Sequence, residues 1–84
     1  MNRSTIRLAQ VLSELFPDVA STQRIMASVG MEASRILGEQ SPLNRWYAIV
    51  NECEKAVLLP QLVAAAMAEY PEHSVLRAWG ERTP

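Results

Sequence analysis

Apolar positions recur at helical spacing along nearly the whole chain. Leu8, Val11, Leu12 and Leu15 follow the i, i+3, i+4, i+7 rhythm that lays one apolar stripe along a helix. Ser4 is placed to cap this first helix. Phe16-Pro17-Asp18 ends it, because proline disfavours helix at the residue before it and offers no amide donor. A second helix is predicted from Ser21, as N-cap, to Val29, with Ile25, Met26 and Val29 facing inward. Gly30 follows where a left-handed residue closes a helix. A short third helix is predicted from Glu32 to Leu37, with Ile36 and Leu37 inward and Gly38 closing it.

Ser41 followed by Pro42 pairs an N-cap with a first-turn proline. The fourth predicted helix then carries Leu43, Trp46, Ile49, Val50 and Cys53 on one stripe, and Lys55 suits the negative pole at its end. Pro60 falls in the first turn of a fifth helix, Leu59 to Tyr70. Its inner face is Leu59, Leu62, Val63, Ala66, Met67 and Tyr70; Ala64-Ala65-Ala66 raises its helix propensity and Pro71 stops it. A sixth, Ser74 to Trp79, places Val75, Leu76 and Trp79, and Gly80 to Pro84 reads as a tail. No segment alternates with period two between hairpin turns. The pattern predicts an all-α protein, a compact antiparallel bundle of five to six short helices. Residues 1–80 form one domain and residues 81–84 a tail or the start of a linker.

Composition narrows the function. A chain of 84 residues makes one domain, and a hydrophobic content of 49% excludes intrinsic disorder. A net charge of −1 argues against a non-specific grip on nucleic acid or anionic lipid. The single cysteine, Cys53, has no internal disulfide partner and suits a reducing cytoplasm. No apolar run is long enough to span a bilayer, and Met1-Asn2-Arg3-Ser4 lacks the apolar core of a signal peptide.

The chain offers little to catalysis. Cys53 lies on an apolar stripe, where a small buried hydrophobe is expected, and His73 sits in the turn after Pro71 in a solvated or capping role. Glu52 and Glu54 are two apart on a helix and point in different directions. One histidine and one cysteine fall short of the usual four zinc ligands, and there is no glycine-rich phosphate loop. The expectation is no catalytic residue, no metal, no cofactor and no small-molecule substrate. Thr22 to Ile36 has the outline of a helix-turn-helix, so a small DNA-binding domain of a transcriptional regulator is the alternative. Met26 stands where a small residue is usual, and the second helix offers only Arg35 as a base, so no nucleic-acid partner is expected.

Charge and aromatics point instead to protein contacts. Residues 1–45 carry five arginines against four acids, and residues 46–84 three bases against five acids, an excess moving from +1 to −2. Arg24, Arg35 and Arg45 on one side, and Glu52, Glu54, Glu69 and Glu72 on the other, are the candidate interface charges. Tyr47, about 100° around the helix from Trp46, is a candidate half-exposed anchor. Two faces of opposite sign allow one copy to meet the next in a heterologous contact.

Several of these segments together resemble a family. They are Leu12 to Pro17-Asp18, the Arg24 helix, Gly30 with Ser34-Arg35-Ile36, and Asn44-Arg45-Trp46-Tyr47-Ala48-Ile49-Val50-Asn51-Glu52. The close, Leu62-Val63-Ala64-Ala65-Ala66 with Glu69-Tyr70-Pro71 and Leu76, belongs with them. From about Leu8 to Trp79 the chain resembles the bacterial effector-associated domains of the first type. One departure is that many relatives carry a glycine-containing turn where this chain has Lys55-Ala56-Val57-Leu58-Leu59-Pro60. The resemblance implies a Death-like helical fold and a non-catalytic adaptor. Such an adaptor recruits effectors or sensors through like-with-like contacts with proteins carrying a matching domain, itself included, in bacterial conflict, antiviral immunity or programmed cell death.

Overall fold

The structure is a computed structural model that describes residues 3–31 and 41–82. Among the described residues are five α-helices and no strand. They are α1 (Arg3–Leu15), α2 (Val19–Val29), α3 (Pro42–Lys55), α4 (Leu59–Glu69) and α5 (Ser74–Arg82). The predicted helix over Glu32 to Leu37 lies outside the described residues.

Helix α1 buries Leu8, Val11 and Leu12 of the predicted stripe, with Ala9 beside them, while Leu15 is half-buried. Ser4 lies within the helix and not at its cap, since α1 already includes Arg3. The cap of α2 also differs from expectation. Asp18, with extended backbone, accepts the Ser21 amide at 2.9 Å and also the Ser21 hydroxyl, so the helix begins at Val19. Aspartate takes this position because its carboxylate both satisfies a free amide and faces the positive end of the helix dipole. At the other end Gly30, at φ 84°, closes α2 as predicted.

Ser41 caps α3 by accepting the Asn44 amide at 3.2 Å, with Pro42 in the first turn. Trp46, Ile49, Val50 and Cys53 of the predicted stripe are buried, while Leu43 at its start is only half-buried. In α4 the buried residues are Leu62, Val63 and Ala66. Tyr70 departs from the predicted inner face. It is the first residue past α4, with φ −131° and ψ 66°, so its side chain leaves the stripe and is 38% exposed. The ring still packs edge-on against Phe16, with centroids 5.5 Å apart.

Helix α5 runs through Gly80 to Arg82, past the predicted end at Trp79. Gly80 is tolerated inside it because the chain packs closely there: a β-carbon at Gly80 would lie 3.2 Å from the Met67 sulfur.

The core is built from fully buried side chains of all five helices and the α1–α2 turn, including Leu8, Leu12, Phe16, Ile25, Met26, Trp46, Ile49, Leu62 and Leu76. Each contributes about 1.5–3 kcal/mol by leaving water. Trp46 sits beside Phe16, with ring centroids 6.0 Å apart. The α1 C-terminus therefore lies against the first turns of α3. A radius of gyration of 11.4 Å matches a single packed unit of this length.

Candidate interaction surface

The structure sorts the candidate charges into different settings. Arg24 on α2 and Glu69 at the end of α4 form an ion pair with each other. A basic and an acidic candidate thus share one patch and partly neutralise one another. Glu52 pairs loosely with Lys55 one turn on, at 3.8 Å, and Glu72 with Arg77 at 4.0 Å. All three pairs are exposed enough for solvent to screen them, so each contributes about 0–1 kcal/mol. Glu54 is exposed and has no ion pair among the described residues.

Arg45 is not a surface group. It is only 4% exposed, and its guanidinium Nη2 donates to the Pro17 carbonyl at 3.1 Å. Position 45 faces the α1–α2 turn because it precedes Trp46, whose indole fills the space behind that turn. Here arginine serves the packing of the turn. Tyr47 is half-buried against the core, in line with its predicted angle from Trp46. Arg35 lies outside the described residues, as does the second helix of the helix-turn-helix outline.

Cys53 and His73 have separate duties. The Cys53 sulfur is buried, 3.2 Å from that of Met31, and burial pushes its thiol up to about 11, with Glu52 adding to the shift. A thiol so protonated at neutral pH is a poor nucleophile. His73 accepts the Val75 amide on Nδ1 at 3.3 Å, the capping role expected of it at the start of α5. Among the described residues no His, Cys, Asp and Glu cluster is arranged to hold a metal ion. Among them, too, no helix is long and apolar enough to cross a membrane.

Two surface features escaped the sequence reading. Arg3 and Arg7, one turn apart on α1, rim a groove of about 380 Å³ whose other wall is α5, with Val75, Ala78 and Trp79 supplying apolar surface. The signal was present: both arginines fall on the polar side of the Leu8–Leu12 stripe. Which element would face them was not legible from spacing. The second feature is Val57, 78% exposed in the turn after α3 and the most exposed large apolar side chain among the described residues.

The fold is thus a small helical module whose inner faces are consumed by packing and whose outer face carries ion pairs, an arginine-rimmed groove and the projecting Val57. The family model for effector-associated domain 1 matches residues 2–84, and the chain belongs to that family. No curated protein and no solved structure matches it.

Proposed function

We propose that this chain is a non-catalytic adaptor, Death-like in its helix arrangement, that recruits effector or sensor proteins by contacts between matching domains. Copies of itself are included, and the setting is bacterial conflict, antiphage immunity or programmed cell death in the cytoplasm. The observation that carries the reading is the family match across residues 2–84. The surface agrees with weak, additive contacts. Arg24, Glu52, Glu54, Glu69 and Glu72 are exposed charges, Tyr47 is half-buried, and Arg35 joins them by sequence. Exposed ion pairs hold weakly one at a time. Tethering several domains raises their effective concentration and makes assembly steep.

The test is the mass of the 84-residue chain by sedimentation as a function of concentration and salt. The expected result is mass above monomer that grows with concentration and falls with salt. A chain monomeric up to about 1 mM, where association would be worth less than about 4 kcal/mol, overturns the reading. Arg45→Glu is not a probe of the surface, because it places a carboxylate in the α1–α2 turn in place of a buried donor.

A further inference from the structure

Helices α2 and α3 end in the same backbone motif. After α2, the Gly30 amide donates to Ala27 O at 3.1 Å and the Met31 amide to Met26 O at 3.0 Å. After α3, the Val57 amide donates to Glu54 O at 3.3 Å and the Leu58 amide to Cys53 O at 2.7 Å. This motif needs a left-handed residue at its centre, and glycine is the residue that adopts that conformation without steric cost. Gly30 fills it at φ 84°; at the second position Val57 does so at φ 59°. A β-branched residue there is an outlier, since its branched β-carbon crowds the following carbonyl.

Packing does not explain the valine, which is 78% exposed. A strained, solvent-facing apolar side chain reduces stability and solubility together, which makes Val57 the candidate contact for something outside the molecule. Beside it on the last turn of α3 are Glu52 and Glu54, the first partly offset by Lys55 and the second without an ion pair among the described residues.

The complementary feature is on the same chain. The groove between α1 and α5 has an apolar wall of Val75, Ala78 and Trp79 and a rim of Arg3 and Arg7, with no acid lining it among the described residues. Its volume of about 380 Å³ admits an aliphatic side chain with part of its turn. Arginine is the cation suited to carboxylates delivered by a turn, because its planar fork accepts them in more than one geometry.

We propose that the occupant of this groove is a second copy of the chain: Val57 of one copy enters between Arg3, Arg7 and Trp79 of the next, and Glu54, the carboxylate without an ion pair among the described residues, meets the arginine rim. This rests on the like-with-like reading and names the surface it uses. Projection and groove are different patches, so the contact is heterologous and each copy keeps a free groove or a free projection for a further copy.

The experiment compares sedimentation of the wild-type chain with Val57→Gly, Arg7→Glu and an equimolar mixture of the two variants. Val57→Gly relieves the left-handed strain, so its Tm is expected at or above the wild-type value while self-association weakens at least about tenfold. Loss of association therefore cannot be ascribed to unfolding. Arg7→Glu, on an exposed position, is expected to weaken association to a similar degree with Tm unchanged. The mixture is expected to recover a dimer, since one variant supplies an intact groove and the other an intact projection, and to stop there. Wild-type association that both variants retain overturns this surface and leaves the like-with-like reading standing. A wild-type chain that never associates overturns both. Variants that fail alone and fail equally in the mixture overturn the pairing of this projection with this groove.

Discussion

The indole Nε1 of Trp46 donates to the main-chain carbonyl of Phe16 at 2.9 Å, across thirty residues of sequence. That carbonyl precedes Pro17, where α1 has ended and the next residue has no amide to offer. Thr22 Oγ1 donates to the Asp18 carbonyl at 2.8 Å and lies 3.3 Å from that of Phe16, and Arg45 covers the Pro17 carbonyl. The α1–α2 turn is thus satisfied largely by side chains from α2 and α3. Trp46→Phe keeps most of the packing and removes the donor, which should cost about 1–3 kcal/mol. Trp46→Ala adds a cavity and should cost about 3–5 kcal/mol, close to the whole stability of a domain this small, about 3–5 kcal/mol. Urea denaturation followed by circular dichroism separates the two; a Trp46→Ala chain with the wild-type midpoint would refute this account of the turn.

The Asp18 cap carries a pH dependence with a definite sign. The Ser21 hydroxyl and then the Ser21 amide, both donating to the carboxylate, hold its pKa below the usual value of 3.8. A carboxylate depressed in the folded state stabilises fully above its unfolded pKa, and the contribution is lost as pH falls through the folded value. Asp18→Asn keeps a side-chain cap without the charge. The two proteins are therefore expected to differ in urea midpoint at pH 7, with the difference narrowing as pH falls through the lowered folded value. A difference that stays constant across that range would remove Asp18 as its source.

Cys53 makes the opposite prediction at the alkaline end. Its thiol is raised to about 11 from 9.0, chiefly by burial. The unfolded chain ionises first, so the contribution is intact below pH 9 and is lost as pH rises through 11. Labelling by an uncharged alkylating reagent at pH 8 should be slow and should accelerate with urea as the core opens. Cys53→Ala should flatten the alkaline loss of stability. Rapid labelling of the native chain at pH 8, at the rate of a free thiol, would contradict the burial seen here.

What the sequence made legible follows from which forces act locally. The stripes on α1, α3 and α4 were readable because helical periodicity and burial are one constraint, and Leu8, Trp46 and Leu62 all face inward as their spacing requires. The Ser41–Pro42 start and the Gly30 stop were readable because their chemistry lies within three residues. The α2 start was displaced because Asp18 and Ser21 both cap well, and only the chain direction after Pro17 selects between them. Arg45 was misread as surface because its helix position also admits an exposed arginine, and only the turn brought over it by Trp46 decides the matter. The pairing of Arg24 with Glu69 likewise joins residues far apart in sequence, through the packing of α2 on α4. The α1–α5 groove was invisible for the same reason.

Gly80 and Met67 provide a last test, of why α5 continues past Trp79. An isolated view of α5 predicts that Gly80→Ala stabilises the helix by up to about 1 kcal/mol. The new methyl carbon, however, would meet the Met67 sulfur at 3.2 Å, tighter than ordinary van der Waals contact. Methionine has three rotatable bonds and yields, but at the loss of its present half-buried packing. The two effects should nearly cancel, leaving Gly80→Ala within about 0.5 kcal/mol of wild type. In a Met67→Ala background the contact is gone, and Gly80→Ala should then stabilise by about 0.5–1 kcal/mol. The double-mutant cycle is therefore expected to show a coupling of about 0.5 kcal/mol or more. Equal effects of Gly80→Ala in both backgrounds would mean that Met67 does not set the residue at position 80, and that glycine there answers to some other contact.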